Sequence, residues 1–412
     1  MDKKPERLMP EVRFKGFTDD WEQHKLRKVA CINPKTNIPD NFKYVDLESV
    51  VGTSLIKAKL TTKQLAPSRA QRVAKKGDIF YQTVRPYQKN NFLFDINNYD
   101  FQYVFSTGYA QLRSEINNYF LFSYLQRQRF VNLILRRSTG TSYPAISSKD
   151  LSEIKIIFPR NSKEQENIGK IINLIDALIT LQQRKLEQLK QLKKAMLQQL
   201  FVSKNSKQPV LRFKNFDSDW RQHSLKDISA KTYSGLTGKS KDDFGHGKAR
   251  YITYLNVHNN EVAISDGVEQ IEVDSKQNKV LKGDLLFTIS FEVPSEVALN
   301  SVWSSEAGTD IYLNSFCFGI RPKSNYVNSF FLTYYLRSPQ MRKLIYPLAQ
   351  GISRFNISKR SILALKINTP VLPEQISICK VLMHIDNLIT YQQNKLTQLT
   401  TLKRYLLQKL FI

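Results

Sequence analysis

The chain has 412 residues, 62 Lys and Arg against 36 Asp and Glu for a formal charge of +26, and 41% hydrophobic residues. That apolar content allows two sizeable cores and excludes a disordered basic chain, while the charge points to a polyanionic partner, nucleic acid before membrane. The most apolar stretch, 168–181, is broken by Lys170, Asn173 and Asp176, which excludes a transmembrane span.

In chain order, the start MDKKPERLMP is charged and holds two prolines, unlike a signal peptide. Cys31, Cys317 and Cys379 have no motif spacing, which fits a reducing, cytoplasmic setting with each thiol packed in a core. Residues 12–30 read VRFKGFTDDWEQHKLRKVA and open a mixed region that runs to 160. Within it, FKYVDLESVV, KGDIFYQTV and YDFQYVFSTG predict short strands, and 117–136 predicts a helix. Residues 161–201 predict one long helix, and the polar segment VSKNSKQPV at 202–210 a linker. The region 211–372 then repeats the plan. It opens on LRFKNFDSDWRQHSLKDIS, has strands in ARYITYLNV, KGDLLFTISF and SFCFGI, and a helix at 325–345. A second long helix fills 373–412.

The chain is therefore written twice, and the fold class is α+β: two tandem globules, each followed by a long helix. A period this long is not a solenoid repeat. The long helices carry matched apolar stripes. Ile168, Ile171, Ile175, Leu178, Leu186, Leu189, Met196 and Leu200 recur as Ile378, Val381, Ile385, Leu388, Leu396, Leu399, Leu406 and Leu410. Each would span ~55 Å and needs a partner helix, for which the other copy is a candidate. Gln182 and Gln392 interrupt the stripes at one matched position. Buried, they would fix register; at the stripe's edge they would simply be hydrated.

Catalytic patterns are missing from the sequence. There is no Walker A motif, no HExxH and no Pro-Pro pair of the adenine methyltransferase type, and Gly-His-Gly at 245–247 reads as a loop. Pro39-Asp40 with Glu153 and Lys155 lies too far apart for a nuclease metal site, and Ser152 with Lys155 matches Ser-x-x-Lys by chance. His24 and His223, each three residues after a tryptophan, read as parts of a packed domain entrance.

Binding chemistry is better represented. Loops mixing cations, hydroxyls, amides and aromatics suit phosphate positioning and base-edge reading. In the first globule the candidate DNA contacts are Thr83, Arg85, Tyr87, Lys89, Thr139, Thr141 and Tyr143. In the second they are Tyr233, Thr237, Lys239, Ser290, Ser353, Arg354 and Asn356. A solvated loop would account for any one of these. Their corresponding places in the two globules single out the sets. Arg85 aligns with Phe291, and Tyr143-Pro144-Ala145 with Arg354-Phe355-Asn356. Scaffold kept and loops changed suits two readers of different sequences, although loop drift after duplication would leave the same trace.

The ordered set of shared segments resembles the specificity subunits of type I restriction–modification systems. Its carriers are RFKGF…W (13–21) and RFKNF…W (212–220), and Lys-Gly-Asp-hydrophobic at 76–80 and 282–286. Gly-x-Ser-x-x-x-Ile-Ser follows at 140–147 and 351–358, then Pro-…-Glu-Gln-…-Ile at 159–168 and 370–378. The resemblance implies two target recognition domains that each read one half of a split, asymmetric double-stranded DNA site. It implies that the two long helices pair as an antiparallel coiled coil and set the gap between half-sites. It also implies a chain without cofactor or activity of its own, partnered by two modification subunits that use S-adenosylmethionine to methylate adenine N6. Two ATP- and Mg-dependent restriction subunits would act through them. The rival readings are a self-sufficient DNA-binding regulator or architectural protein, and an enzyme with a cryptic nuclease or methyltransferase site.

Overall fold

A computed structural model describes residues 8–203, 206–306 and 308–412. Residues 1–7 of the charged start, and Lys204 and Asn205 of the expected linker, lie outside the described residues. The chain forms two compact units: Met1–Arg184 with Asn394–Ile412 (unit 1), and Lys185–Gln393 (unit 2). The division falls inside both long helices, Ser162–Gln199 and Leu372–Lys409, so each globule is built together with helix from both halves of the chain.

In unit 1 the aromatic and β-branched runs form two four-stranded sheets. One is antiparallel, in the order Ala30–Ile32, Tyr109–Ser114, Ile79–Gln82 and Phe92–Leu93. The other runs Lys59–Thr62, Asn41–Val45, Tyr103–Ser106 and Ala70–Val73, with a parallel pair at its centre. Phe80 of the first sheet stacks on Phe105 of the second with ring centroids 3.6 Å apart, filling the core between them. Strand Glu22–Lys25 pairs antiparallel with Lys155–Phe158, which returns the end of the globule to its beginning at the foot of the long helix.

Unit 2 repeats that closure with Arg221–Ser224 and Lys366–Thr369. Its main sheet has five strands, in the order Ser229–Ser234, Cys317–Pro322, Leu285–Thr288, Asn300–Trp303 and Val262–Ala263. A three-stranded sheet is formed by Val268–Ile271, Phe244–Ile252 and Ile311–Leu313. Between strands 244–252 and 262–263 unit 2 carries a short helix, Tyr254–Asn259.

The foot of each globule is locked the same way. In unit 1 the carboxylate of Glu164, 1% exposed, accepts from Arg13 at 2.7 and 2.9 Å and from the indole of Trp21 at 3.3 Å. In unit 2 Glu374 accepts from Arg212 at 2.8 Å twice and from Trp220 at 3.3 Å. The next residue is equally fixed. The Gln165 amide donates to Pro159 O and accepts from Asn117 N, and Gln375 does so with Pro370 O and Asn328 N. The Glu-Gln pair thus ties the N-terminus of each long helix to its own globule, where acidic groups also favour the helix dipole.

Within unit 1, Ile168 and Ile172 share a core with Leu410 and Phe411, and Asp176 pairs with Lys403 at 2.5 Å, so the two helical segments run antiparallel. Within unit 2, Leu200 and Phe201 share a core with Ile378 and Leu382, and Lys193 pairs with Asp386 at 2.7 Å, again antiparallel. The innermost apolar and amide positions along the middle of the first helix include Ile168, Ile172, Ile175, Gln182 and Leu186. They fit steps of four and three residues, the 3.5-residue seam of paired helices rather than the 3.6-residue face of a lone one. Leu178, expected in the stripe, is accordingly displaced toward solvent. Cys317 and Cys379 are buried as expected, but Cys31 is exposed, because its strand turns that side chain away from the core.

Candidate nucleic-acid interface

The Lys-Gly-Asp motif builds the platform from which the loops spring. Buried Asp78 accepts from Lys75 N, from the Gln111 amide at 2.6 Å and from both arms of Arg113 at 2.9 Å. Buried Asp284 accepts from Leu281 N, from the Tyr233 hydroxyl at 2.7 Å and from Arg321 at 2.8 Å. Each carboxylate starts a strand that is buried along its whole length, Ile79–Gln82 or Leu285–Thr288.

Beyond each strand the chain meets the Gly-x-Ser loop. Thr139 and Ala145 exchange backbone hydrogen bonds at 2.9 Å, and Gln350 and Asn356 do so at 2.8 Å. Gly140 (φ +89°) and Gly351 (φ +137°) make these turns possible. A Cβ would stand 2.9 Å from Tyr143 O in one and 2.1 Å from Arg354 O in the other. The loop is then fastened to the strand end: Ile146 N donates to Thr83 O at 3.0 Å, and Ile357 N to Ile289 O at 2.9 Å. Val84 faces Ala145, Ser290 faces Asn356, and Phe291 faces Phe355. In each unit, then, two loops distant in sequence make one edge, and Arg85 and Phe291 hold equivalent places.

The side chains on the two edges differ. In unit 1 Arg85 has a left-handed backbone (φ +54°), donates its N–H to Pro144 O at 2.8 Å and lays its guanidinium 4.3 Å from the ring centre of exposed Tyr143. Tyr87, Thr139 and Thr141 are exposed around it. Lys89 is half-buried, and its pKa is lowered by burial and by the neighbouring Lys403. In unit 2 exposed Arg354 donates from Nε to Ser290 Oγ at 3.2 Å and lies 5.9 Å from the ring of exposed Phe316. Ser353 and Asn356 are exposed beside it.

Three expected contacts are corrected by burial. Thr83 spends its hydroxyl on Gly108 O at 2.8 Å. Tyr233, 3% exposed, donates to Asp284, and burial pushes its pKa well up. Ser290 is covered by Arg354 and the Asn356 strand. None of the three reaches the surface. Lys239 is surrounded by carboxylates, Asp274 at 3.0 Å and Asp243 at 3.4 Å, and the hydrogen bond to Asp274 is the main cause of its raised pKa. That cation is already neutralised locally. Thr237 is exposed, with its N–H held by Gln277.

The sequence reading missed Phe316 and the aromatic stack behind Phe291, formed by His258 and Tyr254. No local motif marks either one. Gln182 is 3% exposed and Gln392 half-buried, and the Oε1 atom of each is buried without a hydrogen-bond partner. His24 is half exposed, its ring tilted against Phe158 at 5.5 Å and its Nε2 3.1 Å from Glu22. Among the described residues no cluster of three or more His, Cys, Asp or Glu could hold a metal ion, and no helix is long and apolar enough to cross a membrane.

The family model of the type I restriction modification DNA specificity domain matches this chain twice, over residues 18–191 and 217–401. The chain is 25% identical over 300 residues to the MjaVIII specificity subunit of Methanocaldococcus jannaschii, a stretch that is 66% of this chain and 65% of that one, just under two thirds. It is 25% identical over 192 residues to the HindI specificity subunit of Haemophilus influenzae, covering 44% of this chain and 41% of the other. Among solved structures, the type I restriction-modification system S subunit from M. genitalium matches with a TM-score of 0.62 at 17% identity, over 98% of this chain and 99% of that one. A chain from work on complex assembly and conformational transition of the type I R-M system matches with a TM-score of 0.53 at 21% identity, over 95% and 97%. These two likenesses bear on the fold.

Proposed function

The chain belongs to the type I restriction–modification DNA specificity family, and from that premise we propose that it is the DNA-reading subunit of such a system. Unit 1 reads one half of a bipartite, asymmetric duplex site and unit 2 reads the other. The paired helices hold the readers a fixed distance apart, with Gln182 and Gln392 setting their register. The chain has no chemistry of its own. In the cytoplasm it directs two modification subunits, which take a methyl group from S-adenosylmethionine to adenine N6, and two restriction subunits that use ATP and Mg. The target adenine would leave the stack into the partner's pocket, at an unstacking cost of a few kcal/mol.

One observation carries this reading. The two units share their foot, their Lys-Gly-Asp platform and their fastened loop pair, yet place different side chains on the resulting edge. Arg85 over Tyr143 stands in one, and Arg354 with Phe291 and Asn356 in the other. Unlike readers on like scaffolds suit an asymmetric site, since bases are distinguished by side-chain edges while the scaffold fixes the approach.

Purification from the native host tests it. The expected result is a stoichiometric complex with an adenine methyltransferase and site-specific methylation only when both are present. Tight sequence-specific binding by the chain alone, with no methyltransferase in the complex, would favour a free-standing regulator instead.

A further inference from the structure

Unit 2 has a buried support under its reading edge that has no counterpart among the described residues of unit 1. His258, 6% exposed, lies in the short helix 254–259. Its ring stacks on Phe291 with centroids 4.1 Å apart and planes 20° apart, and lies near-parallel to Tyr254 at 5.9 Å and 15°. Its Nε2 is 3.1 Å from Glu296 Oε2 on the turn that follows Phe291. The Tyr254 hydroxyl donates to Ser290 O. Together the two rings hold both residues of the strand Ser290–Phe291, one by its carbonyl and one by its face.

That strand is the one that positions exposed groups. Ser290 pairs with Asn356 and receives Arg354 Nε, and Phe291 pairs with Phe355. The support is itself fixed from below. Arg337 donates to the carbonyls of Val257, His258 and Asn260 at the C-terminal end of the short helix, and to Asn300 O. Arg342 donates to the carbonyls of Ser295, Val297 and Ala298 in the turn that carries Glu296. Two half-buried cations thereby cap carbonyls at the end of the short helix and in the turn. In unit 1, Gln126 and Val131 stand in the places of Arg337 and Arg342, as the matched anchors Asn117 and Asn328 show.

We infer that His258, with Tyr254 behind it, is a specificity-determining positioning residue of unit 2: a flat buried plate that holds Phe291, and through Ser290 holds Arg354 and Asn356, at the height from which they read base edges. This rests on the reading of unit 2 as the reader of one half-site. His258 itself touches no DNA. It acts by removing freedom from the strand that does, and a placement error of a fraction of an ångström is enough to misalign a bidentate contact.

The test is to express the chain with its own modification subunits in a host free of other adenine methylation and to sequence the modified sites. Wild type, His258→Ala, His258→Phe and Phe291→Ala are compared. His258→Ala is expected to leave the unit 1 half-site and the gap unchanged. Sites with one wrong base in the unit 2 half-site should gain modification about tenfold, the size of one lost base discrimination. His258→Phe restores a flat plate and should restore discrimination, whereas Phe291→Ala should relax the same half-site. A merely structural loss lowers modification evenly at every site, and that pattern, or unchanged base preference in His258→Ala, overturns the inference. Should His258→Ala fail to accumulate, Phe291→Ala decides alone, because it keeps the plate and removes what rests on it; unchanged preference there also overturns the inference. Wild type that modifies no split site sinks the half-site reading and this inference with it. A split site in wild type with no relaxation in the variants sinks the inference alone.

Discussion

Lys193 and Asp386 pair at 2.7 Å between the two long helices in unit 2, and the matched residues Lys403 and Asp176 pair at 2.5 Å in unit 1. Lys193 has a second partner, Glu261, also at 2.7 Å, and Asp386 accepts the Tyr334 hydroxyl as well. The helix seam is thus bolted to the globule through a largely buried lysine. Burial raises the pKa of Glu261, but Lys193 and Arg337 outweigh it and leave the carboxyl below its ordinary value.

Lys193→Met leaves Glu261 and Asp386 without their shared cation. We expect unit 2 to lose about 2–3 kcal/mol at pH 7. The sign with pH follows from the depressed carboxyl. Its stabilising contribution is full above the unfolded carboxylate range and is lost as pH falls through the folded value. The deficit of the variant should therefore be largest at neutral pH and shrink in acid. Denaturant unfolding of both proteins at neutral and acid pH reads it directly, and a deficit that grows in acid would contradict the pairing.

Arg212→Leu should be worse than Lys193→Met. It strands Glu374, which is 1% exposed and otherwise held only by the Trp220 indole among its described side-chain partners. A loss of about 3–5 kcal/mol is expected, and the double change Arg212→Leu with Glu374→Leu should recover part of it, because the buried charge goes too. Arg13→Leu should do the same through Glu164. Thermal unfolding of the single and double variants checks the ordering.

Tyr233→Phe and Thr83→Val should leave the recognised sequence unchanged. Both hydroxyls are spent inside, on Asp284 and on Gly108 O. The expected cost is stability alone, about 1.5–3 kcal/mol for the bond to the buried carboxylate and about 1 kcal/mol for the bond to the carbonyl. A changed methylation motif in either variant would restore these residues to the reading edge.

These two residues also show what a linear reading could and could not reach. The duplication and the Glu-Gln lead into each helix are legible because each is local and occurs twice, whereas the closing strands pair residues as far apart as Glu22 and Phe158 and are not. Arg13, Trp21 and Glu164 stood out as shared letters before their mutual contact was known. Tyr233, by contrast, reads as a loop aromatic in TYSGLTGK, and only the fold brings it to Asp284, 51 residues away. His258 sits in no motif of the sequence, and its partner Phe291 is reached only through tertiary packing. Lys239 carried a promising charge whose neutralisation by Asp274 is equally nonlocal. The pairing of Arg85 and Tyr143 lies between these cases. Both were chosen as loop chemistry, but the stack that orients one on the other appears only when the two loops close.

Arg85→Ala should relax one base pair of the half-site read by unit 1, at a cost of about 1–3 kcal/mol in discrimination, since an arginine oriented on an aromatic face suits a guanine edge. Tyr143→Leu should relax the same position by less, because the guanidinium remains but is no longer held. Binding titrations of the assembled complex against single-base variants check both. Relaxation in the other half-site would contradict the assignment.

Removing one heptad from the middle of each long helix, matched in both, should keep the seam in phase and shorten the gap between half-sites without altering either half. Removing four residues instead should turn the seam out of phase and abolish modification. The methylation motif of each variant is the readout.

The most direct test of the central claim is to map N6-methyladenine across the genome of the native host with and without this gene, and again with residues 12–158 exchanged for those of another such unit. The account predicts one split, asymmetric motif of fixed gap that disappears with the gene, and in the exchange a change in one half-site only. An undivided or palindromic motif, a motif that survives loss of the gene, or an exchange that changes both halves or neither would contradict it.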